Sequence, residues 1–190
     1  MQASSASPEM HSAKIVIAGG FGVGKTTAVE AISEIPAIRT ESWMTAAAAQ
    51  IDHLDPGIDK VTTTVAMDFG RVTVDDSLVL YLFGTPGQPR FWPMWDDLVR
   101  GAVGALVLVD TNHLENSFAA VNYFENDAAV PWIVCVNLFH GVQTHDLAEV
   151  REALTLPPHI PLIAADVRGS RNVAQALLAV VNHATEKARQ

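Results

Sequence analysis

One segment near the amino terminus constrains the fold of this chain more than any other. Residues 19–26 read GGFGVGKT and fit the pattern G-x-x-x-x-G-K-[ST]. The apolar run KIVIAG at 14–19 precedes the segment, and a helical pattern from Lys25 to Ile35, ended by Pro36, follows it. In such a strand–loop–helix context, backbone N–H groups surround phosphate oxygens and the helix N-terminus adds partial positive charge. The sequence therefore predicts a loop that binds the phosphates of a nucleoside triphosphate.

The residue types in this loop have separate chemical roles. The Lys25 ammonium is expected to reach the β- and γ-phosphates, and the Thr26 hydroxyl is expected to bind Mg²⁺. The residues predicted to contact the nucleotide here are Gly20, Phe21, Gly22, Val23, Gly24, Lys25, Thr26 and Thr27.

Composition excludes several other classes of protein. The chain has 190 residues, of which 49% are apolar and 17% are charged, which predicts one folded domain with a heavily buried sheet. Its net charge of −9 argues against a nucleic acid strand or an anionic membrane surface as partner. No apolar run approaches the ~20 residues of a membrane span. The one cysteine, Cys135, allows no internal disulfide and fits a reducing cytoplasm.

Strand and helix patterns alternate along residues 13–190, whereas residues 1–12 are Ser/Ala-rich and predicted to be a disordered tail without a secretory signal or lipid anchor. The turn DDS at 75–77 predicts one antiparallel hairpin. The expected fold is a three-layer α/β P-loop nucleoside-triphosphatase fold, with a mostly parallel, mixed six-stranded sheet and helices on both faces. The predicted strands are 14–19, 64–74, 78–83, 103–110, 132–137 and 161–164, and the predicted later helices are 90–100, 114–126, 146–154 and 172–187. Residues 36–63 are predicted to be mostly loop, with a short helix as an alternative in ESWMTAAAAQ.

A second motif, FGTPGQ at 83–88, follows a predicted strand. It resembles the D-x-x-G-Q of the second switch in the Ras-like small GTPases. The resemblance implies that the Gly87 N–H meets the γ-phosphate and that Gln88 orients the attacking water. Ahead of it, TTTVAMDF at 62–69 resembles the end of the first switch, which implies that a threonine closes over Mg²⁺ and the γ-phosphate. Thr64 is the best match, although β-propensity alone also explains the three threonines.

Two further loops resemble the base-binding loops of that family. VCVN at 134–137 stands where the family has N-K-x-D, and ADV at 165–167 follows the next strand, where the family has S-A-K. His140 stands where the family has an aspartate. The aspartate carboxylate accepts two hydrogen bonds from guanine, whereas a neutral imidazole offers one acceptor at most. Guanine selectivity is therefore either weakened or carried by the asparagine and the second loop. The residues implied to lie at the base are Asn137, Leu138, His140, Ala165, Asp166 and Val167, of which Leu138 and His140 replace the family's Lys and Asp.

The sequences of several segments resemble a narrower group within these GTPases. GGFGVGKTT, TTTVAMDFGR, FGTPGQPRFWPMWDDLVRGAVGALVLVDT and VNLFHG are similar to the small GTPases of actinomycete conservon operons, relatives of the MglA-type GTPases. Those operons also encode a sensor histidine kinase and a roadblock-family protein. The resemblance therefore implies a partner of roadblock type and a sensor-kinase system.

Two further positions, Gly84 and Phe21, depart from the family pattern. Gly84 stands where most of these GTPases have the aspartate that holds Mg²⁺ through water. Asp110 at the end of ALVLVD looks like an acid of that kind but is better explained as a loop or helix cap, and Asp68 is a further candidate inside its strand. Phe21 occupies a position usually held by glycine, which predicts slow turnover because its side chain obstructs an arginine supplied by a partner. Candidate arginines within this chain are Arg39, Arg71 and Arg90, each of which fits a solvated surface better.

The function that the sequence favours is a switch that binds GTP or GDP with Mg²⁺ and slowly hydrolyses GTP, with Gln88 as the catalytic residue and Thr26 and Thr64 at the metal. One alternative is a pseudo-GTPase that binds nucleotide without useful hydrolysis, supported by Gly84 and His140. Another is a P-loop ATPase with relaxed base specificity that uses Asp110. The aromatic residues Phe91, Trp92 and Trp95 are predicted to belong to the core rather than to a partner surface.

Overall fold

The structure is a computed structural model that describes residues 10–36, 38–43 and 64–189. Seven strands and five α-helices alternate along these residues. The strands are β1 (His11–Gly19), β2 (Ile38–Trp43), β3 (Thr64–Thr73), β4 (Leu78–Gly84), β5 (Gly104–Val109), β6 (Trp132–Asn137) and β7 (Leu162–Ala165). The α-helices are α1 (Lys25–Ile32), α2 (Trp95–Val99), α3 (Phe118–Asn126), α4 (Leu147–Ala153) and α5 (Ser170–Ala188).

All seven strands form one mixed sheet in the order β2-β3-β4-β1-β5-β6-β7. The pairs β2–β3 and β3–β4 are antiparallel, and every pair from β4 to β7 is parallel. The β3–β4 hairpin turns at 75–77, where the Asp75 carboxylate accepts hydrogen bonds from the backbone N–H and hydroxyl of Ser77. The carboxyl ends of the parallel strands therefore meet at one edge of the sheet.

Helices cover both faces of the sheet, because the central strands are apolar on both sides. Every residue of β5 and β6 is buried, as expected for parallel strands between two helical layers. On one face α2, α3 and α4 pack through a cluster that includes Trp95, Phe124 and Val150. On the other face α1 and α5 pack through a cluster that includes Val29 and Val180.

The predicted architecture is confirmed, and all six predicted strands are present. The structure adds β2, which pairs with β3 at the sheet edge inside the segment predicted to be loop. The first three residues of ESWMTAAAAQ belong to β2, so the short-helix alternative is wrong there, and the rest of that stretch lies outside the described residues. The structure also begins β1 at His11, so the predicted tail is too long by at least two residues, while residues 1–9 lie outside the described part.

The predicted helices are present, with shorter bounds except for α5, which extends beyond the predicted 172–187 at both ends. The predicted helix 90–100 is a 3₁₀ segment, Pro89–Met94, followed by α2, and the predicted helix 114–126 is a 3₁₀ segment, Leu114–Ser117, followed by α3. Pro93 inside the first segment removes a backbone donor, which favours this tighter, broken winding. Among the helices of the described residues, none combines the length and apolar composition needed to cross a membrane.

Candidate functional site

The predicted phosphate loop connects the carboxyl end of β1 to the amino end of α1. Gly24 is the N-cap residue of α1, and its φ of 104° lies in the left-handed region that favours glycine. No side chain caps α1, and its first turn contains no acidic residue. The free N–H groups and the positive end of the helix dipole therefore remain available for an anion.

The Lys25 ammonium is buried in this loop, with 8% of the residue exposed. It donates hydrogen bonds to the backbone carbonyl oxygens of Gly19, at 2.9 Å, and Gly20. Burial lowers the pKa of Lys25 from 10.5 to about 8, and the negative charge of Asp68 opposes that shift. The loop thus holds a partly desolvated cation, which interacts strongly with phosphate charge.

The predicted second switch lies against the phosphate loop. A Cβ placed on Gly87 would lie 2.8 Å from Lys25 Nζ and 2.9 Å from the backbone nitrogen of Phe21. No side chain fits between these segments, so glycine allows the backbone at 87 to reach the cation. The next residue, Gln88, is exposed and precedes the 3₁₀ segment Pro89–Met94. The structure therefore brings Gly87 close to Lys25 and to the backbone of Phe21, and Gln88 follows it directly in the chain.

The Thr26 hydroxyl donates a hydrogen bond of 2.7 Å to Oδ2 of Asp68, which lies in β3. This contact joins the start of α1 to a strand 42 residues further along the chain. Asp110, the rival acid, accepts a hydrogen bond of 2.8 Å from the backbone N–H of Asn112. Its cap role, favoured by the sequence, is confirmed.

The two predicted base loops also meet. Asn137 and Ala165 are paired in the β6–β7 register, and the backbone N–H of Leu138 donates to the carbonyl oxygen of Ala165 at 2.9 Å. The Asn137 amide donates to the carbonyl oxygen of Val23 at 3.0 Å and accepts from the backbone N–H of Val167 at 3.3 Å. One buried side chain therefore connects the phosphate loop to both base loops.

Beside these loops lies a polar cluster that the sequence reasoning missed. The Arg168 guanidinium donates two hydrogen bonds to the Asp166 carboxylate, at 2.9 and 2.6 Å, and one to Nδ1 of His140, at 3.1 Å. The hydrogen bond from Arg168 lowers the pKa of Asp166 to about 2. Because a guanidinium only donates, Nδ1 of His140 is the acceptor in this contact. Arg168 had a sequence signal, its position directly after the 165–167 loop.

Several other predicted site residues are exposed, or have side chains outside the described part of the structure. Thr27 and Phe21 are exposed, with Phe21 76% exposed. Thr64 begins β3, and its side chain lies outside the described part of the structure, as do those of Arg39 and Arg90. Arg71 faces the side of the sheet opposite to Asp68, because successive residues of a strand alternate. Of the aromatic residues, Phe91 and Trp95 are buried as predicted, whereas Trp92 is 37% exposed.

Comparisons with known proteins agree with this geometry. A family model described as "Conserved hypothetical ATP binding protein" matches residues 17–187. An uncharacterized protein of Methanocaldococcus jannaschii is 31% identical over 99 residues, and the alignment spans 52% of this chain and about half, 51%, of that relative. The Ras-related protein SEC4 of Saccharomyces cerevisiae is 26% identical, with 92% of this chain and 75% of SEC4 covered.

Solved structures give the same fold. The G domain of the T. maritima FeoB iron transporter superposes with a TM-score of 0.62 at 19% identity, covering 92% of this chain and 99% of that domain. The sheet order and the glycine loop define a P-loop protein of the Ras-like fold. Since the family model covers most of its length, the chain belongs to the family described as conserved hypothetical ATP binding proteins.

Proposed function

We propose that this protein is a nucleotide-dependent switch that binds GTP or GDP together with Mg²⁺ and hydrolyses GTP slowly. The observation that carries the proposal is the contact between the buried Lys25 ammonium and Gly87, which joins the phosphate loop to the second switch segment. A bound γ-phosphate would have donors from both segments and would require them to move apart, since not even a Cβ fits between Gly87 and Lys25. Its binding and its loss on hydrolysis would therefore change how the two segments lie against each other, which is the physical basis of a switch.

In this proposal the chain acts by placing donors around the phosphates. The free N–H groups of α1 and the Lys25 ammonium bind the phosphate charge. Gln88 follows Gly87 directly, and its exposed amide orients a water against the γ-phosphate. The Phe21 side chain projects into solvent beside Gly87 and limits access of a partner's arginine, so turnover is slow.

The residues present fit Mg²⁺. Thr26 offers a hydroxyl oxygen, and Asp68 places a carboxylate 2.7 Å from it, which are the hard oxygen groups that this ion prefers. Within residues 10–36, 38–43 and 64–189, no three His, Cys, Asp or Glu side chains cluster as a metal site. The ion therefore needs nucleotide phosphates as ligands, with Thr26 and, by resemblance, Thr64 completing its shell. When bound, it would neutralise phosphate charge.

Guanine nucleotide is supported by the relatives. SEC4 is a Ras-related protein. RABD1 of Arabidopsis thaliana, which is 28% identical to this chain over 145 residues, is another. The cytosolic domain of T. maritima FeoB has been solved in a GDP form and in a GMPPNP form. By resemblance, we further propose a cytoplasmic location and a roadblock-family partner that acts with a sensor-kinase system. This partner would bind residues 36–64 and 84–100 differently in the GTP and GDP states.

A second candidate is a switch or binding module with relaxed base specificity. The specific observation is that Arg168 bonds to Nδ1 of His140, so the ring offers no paired acceptor at the position where the family has its guanine-binding aspartate. The family description names ATP, which is consistent with this candidate. Asp110 does not support the ATPase alternative, because its carboxylate already accepts a hydrogen bond from the backbone N–H of Asn112.

The test identifies nucleotide that co-purifies with the protein, then measures GTP and ATP affinity with Mg²⁺ and phosphate release. We expect the Gln88→Ala variant to lose hydrolysis about 10- to 100-fold while its nucleotide affinity is unchanged. Gln143→Ala is the matched control, because Gln143 is exposed and bonds only within its own loop, to the carbonyl oxygen of His145. Tight binding without turnover in the wild type would support the pseudo-GTPase, and an ATP preference would contradict the GTP switch.

A further inference from the structure

The antiparallel register of β3 and β4 places Asp68 directly beside Gly84. Gly84 is the position at which the Ras-like pattern carries its metal-binding aspartate. We infer that Asp68 supplies that carboxylate from the neighbouring strand, and that it supports the Mg²⁺ ion of a bound nucleotide through the Thr26 hydroxyl and water. This inference rests on the proposed function, since the ion needs nucleotide phosphates.

The two positions share one small volume. Paired residues of an antiparallel sheet project from the same face, here the face that α1 covers. A Cβ placed on Gly84 would lie 3.0 Å from Cβ and 3.0 Å from Oδ2 of Asp68. A carboxylate at position 84 would therefore crowd the carboxylate at position 68, which would have to shift to make room. The glycine is what leaves space for the Asp68 side chain.

The Asp68 side chain is also directed at the right group. Its Oδ2 accepts the proton of the Thr26 hydroxyl at 2.7 Å. A hydroxyl that donates its proton keeps its lone pairs, so this contact fixes the rotation of the Thr26 hydroxyl and leaves its oxygen free to act as a metal ligand. Asp68 is thus a positioning residue for Thr26 and an acceptor for metal-bound water. Fixing outer partners of a metal in this way supports its affinity.

The carboxylate of Asp110, the other candidate acid, stabilises a turn instead. Asp110 follows β5, and its Oδ1 accepts the backbone N–H of Asn112 at 2.8 Å. Turning its side chain toward a metal would break that turn. Asp110 is therefore a suitable control, since it is another acid at the same edge of the sheet.

The experiment uses the full chain loaded with fluorescent GDP, and it measures nucleotide release across a range of Mg²⁺ concentrations and in excess chelator. For Asp68→Asn we expect the Mg²⁺ concentration that half-suppresses release to rise about 10- to 100-fold, while release in chelator stays as in the wild type. Asparagine can still accept the Thr26 proton, so a purely structural role would leave the Mg²⁺ dependence unchanged. Mn²⁺ binding to the GDP complex, followed by electron paramagnetic resonance, should weaken in parallel. Asp110→Asn should match the wild type in both measurements.

A pair of variants tests the shared volume. Asp68→Gly alone should lose the Mg²⁺ dependence, and the double variant Asp68→Gly/Gly84→Asp should recover it to within about tenfold, with circular dichroism confirming that each is folded. An unchanged Mg²⁺ dependence in Asp68→Asn would overturn the inference, as would a loss confined to Asp110→Asn. If the wild type retains GDP with no effect of Mg²⁺, the inference fails and nucleotide binding stands. If the wild type binds no nucleotide under any condition, both proposals fail.

Discussion

The side-chain amide of Asn137 donates a hydrogen bond to the backbone carbonyl oxygen of Val23, 3.0 Å away and 114 positions earlier in the chain. The same side chain accepts a hydrogen bond from the backbone of Val167. Gly24 permits this contact, because a Cβ there would lie 2.7 Å from the Asn137 amide nitrogen. The curvature of the phosphate loop and the position of the base loops are therefore coupled through one buried group.

Removing this amide should destabilise the protein. Asn137→Ala leaves a buried carbonyl oxygen and a buried N–H without partners, which costs about 1–3 kcal/mol in the free energy of unfolding. Urea denaturation measures this change. Asn126→Ala is the control, because the exposed Asn126 amide bonds only within α3, and its change should stay within about 0.5 kcal/mol. Equal effects of the two substitutions would contradict the bridging role of Asn137.

Nucleotide affinity should fall as the pH rises above about 8, which is the pKa of Lys25 in the free protein. Phosphate charge favours the ammonium, so binding takes up a proton and weakens by at most about tenfold per pH unit. Titrations from pH 7 to 9 measure this slope. In Lys25→Arg the cation stays charged, so its affinity, although weaker, should not change with pH.

The folding linkage runs in the opposite direction. Burial holds the pKa of Lys25 below its ordinary 10.5, so the unfolded chain binds more protons between about pH 8 and 10.5. The contribution of Lys25 to the free energy of unfolding therefore rises across that interval. A fall in affinity accompanied by a fall in the Lys25 contribution to stability would contradict this assignment.

The fold and the phosphate loop could be predicted from the sequence because both depend on local patterns. The run GALVLV at 104–109 indicates a strand buried on both faces, and the glycine loop occupies eight consecutive residues. β2 could not be predicted in this way, because IRTESW at 38–43 has no clear alternation and becomes a strand only by pairing with the edge of β3.

The contacts that the sequence did not settle in the candidate site depend on register and loop geometry. Asp68 is 42 residues from Thr26, and only the β3–β4 pairing shows that it stands beside Gly84. The contact between Arg168 and His140 joins two loops 28 residues apart, and His140 has a left-handed φ of 58° that its spacing does not reveal. Sequence patterns reveal relationships between residues close together in the chain, whereas these contacts depend on how strands pair and how loops fold.

If the second candidate, with relaxed base specificity, is right, base discrimination should be weak in the wild type and improve in His140→Asp. The imidazole ring offers one acceptor at most, whereas aspartate accepts both donors of guanine and tolerates the left-handed backbone at this position. We expect wild-type GTP and ATP affinities to agree within about tenfold, and the variant to favour GTP by at least about tenfold more. Competition binding with both nucleotides measures the ratio.

His145→Asp controls for the change in charge, because His145 is exposed in the same loop region. It should leave the GTP-to-ATP ratio of the wild type unchanged. A wild-type preference for GTP of a thousandfold or more would contradict the interpretation of the His140–Arg168 contact.

Trp95 should contribute much more stability than its neighbour Trp92. Trp95 is 1% exposed, and its indole N–H donates to the carbonyl oxygen of Pro86 at 3.1 Å, within the loop that carries Gly87 and Gln88. Trp95→Phe leaves that oxygen unpaired and opens a small cavity, which should cost about 2 kcal/mol in the free energy of unfolding. Trp92→Phe should change it by less than about 0.5 kcal/mol. Thermal unfolding of both variants provides the comparison.

The crowding between positions 68 and 84 also restricts how such a chain can change over generations. A substitution that adds a carboxylate at 84 meets the Asp68 side chain at 3.0 Å, and one that removes the carboxylate at 68 leaves neither strand with an acid. The residue tolerated at one of these positions therefore depends on the residue at the other. We expect an acid at 84 to be accompanied by a smaller residue at 68, so that the two positions change together.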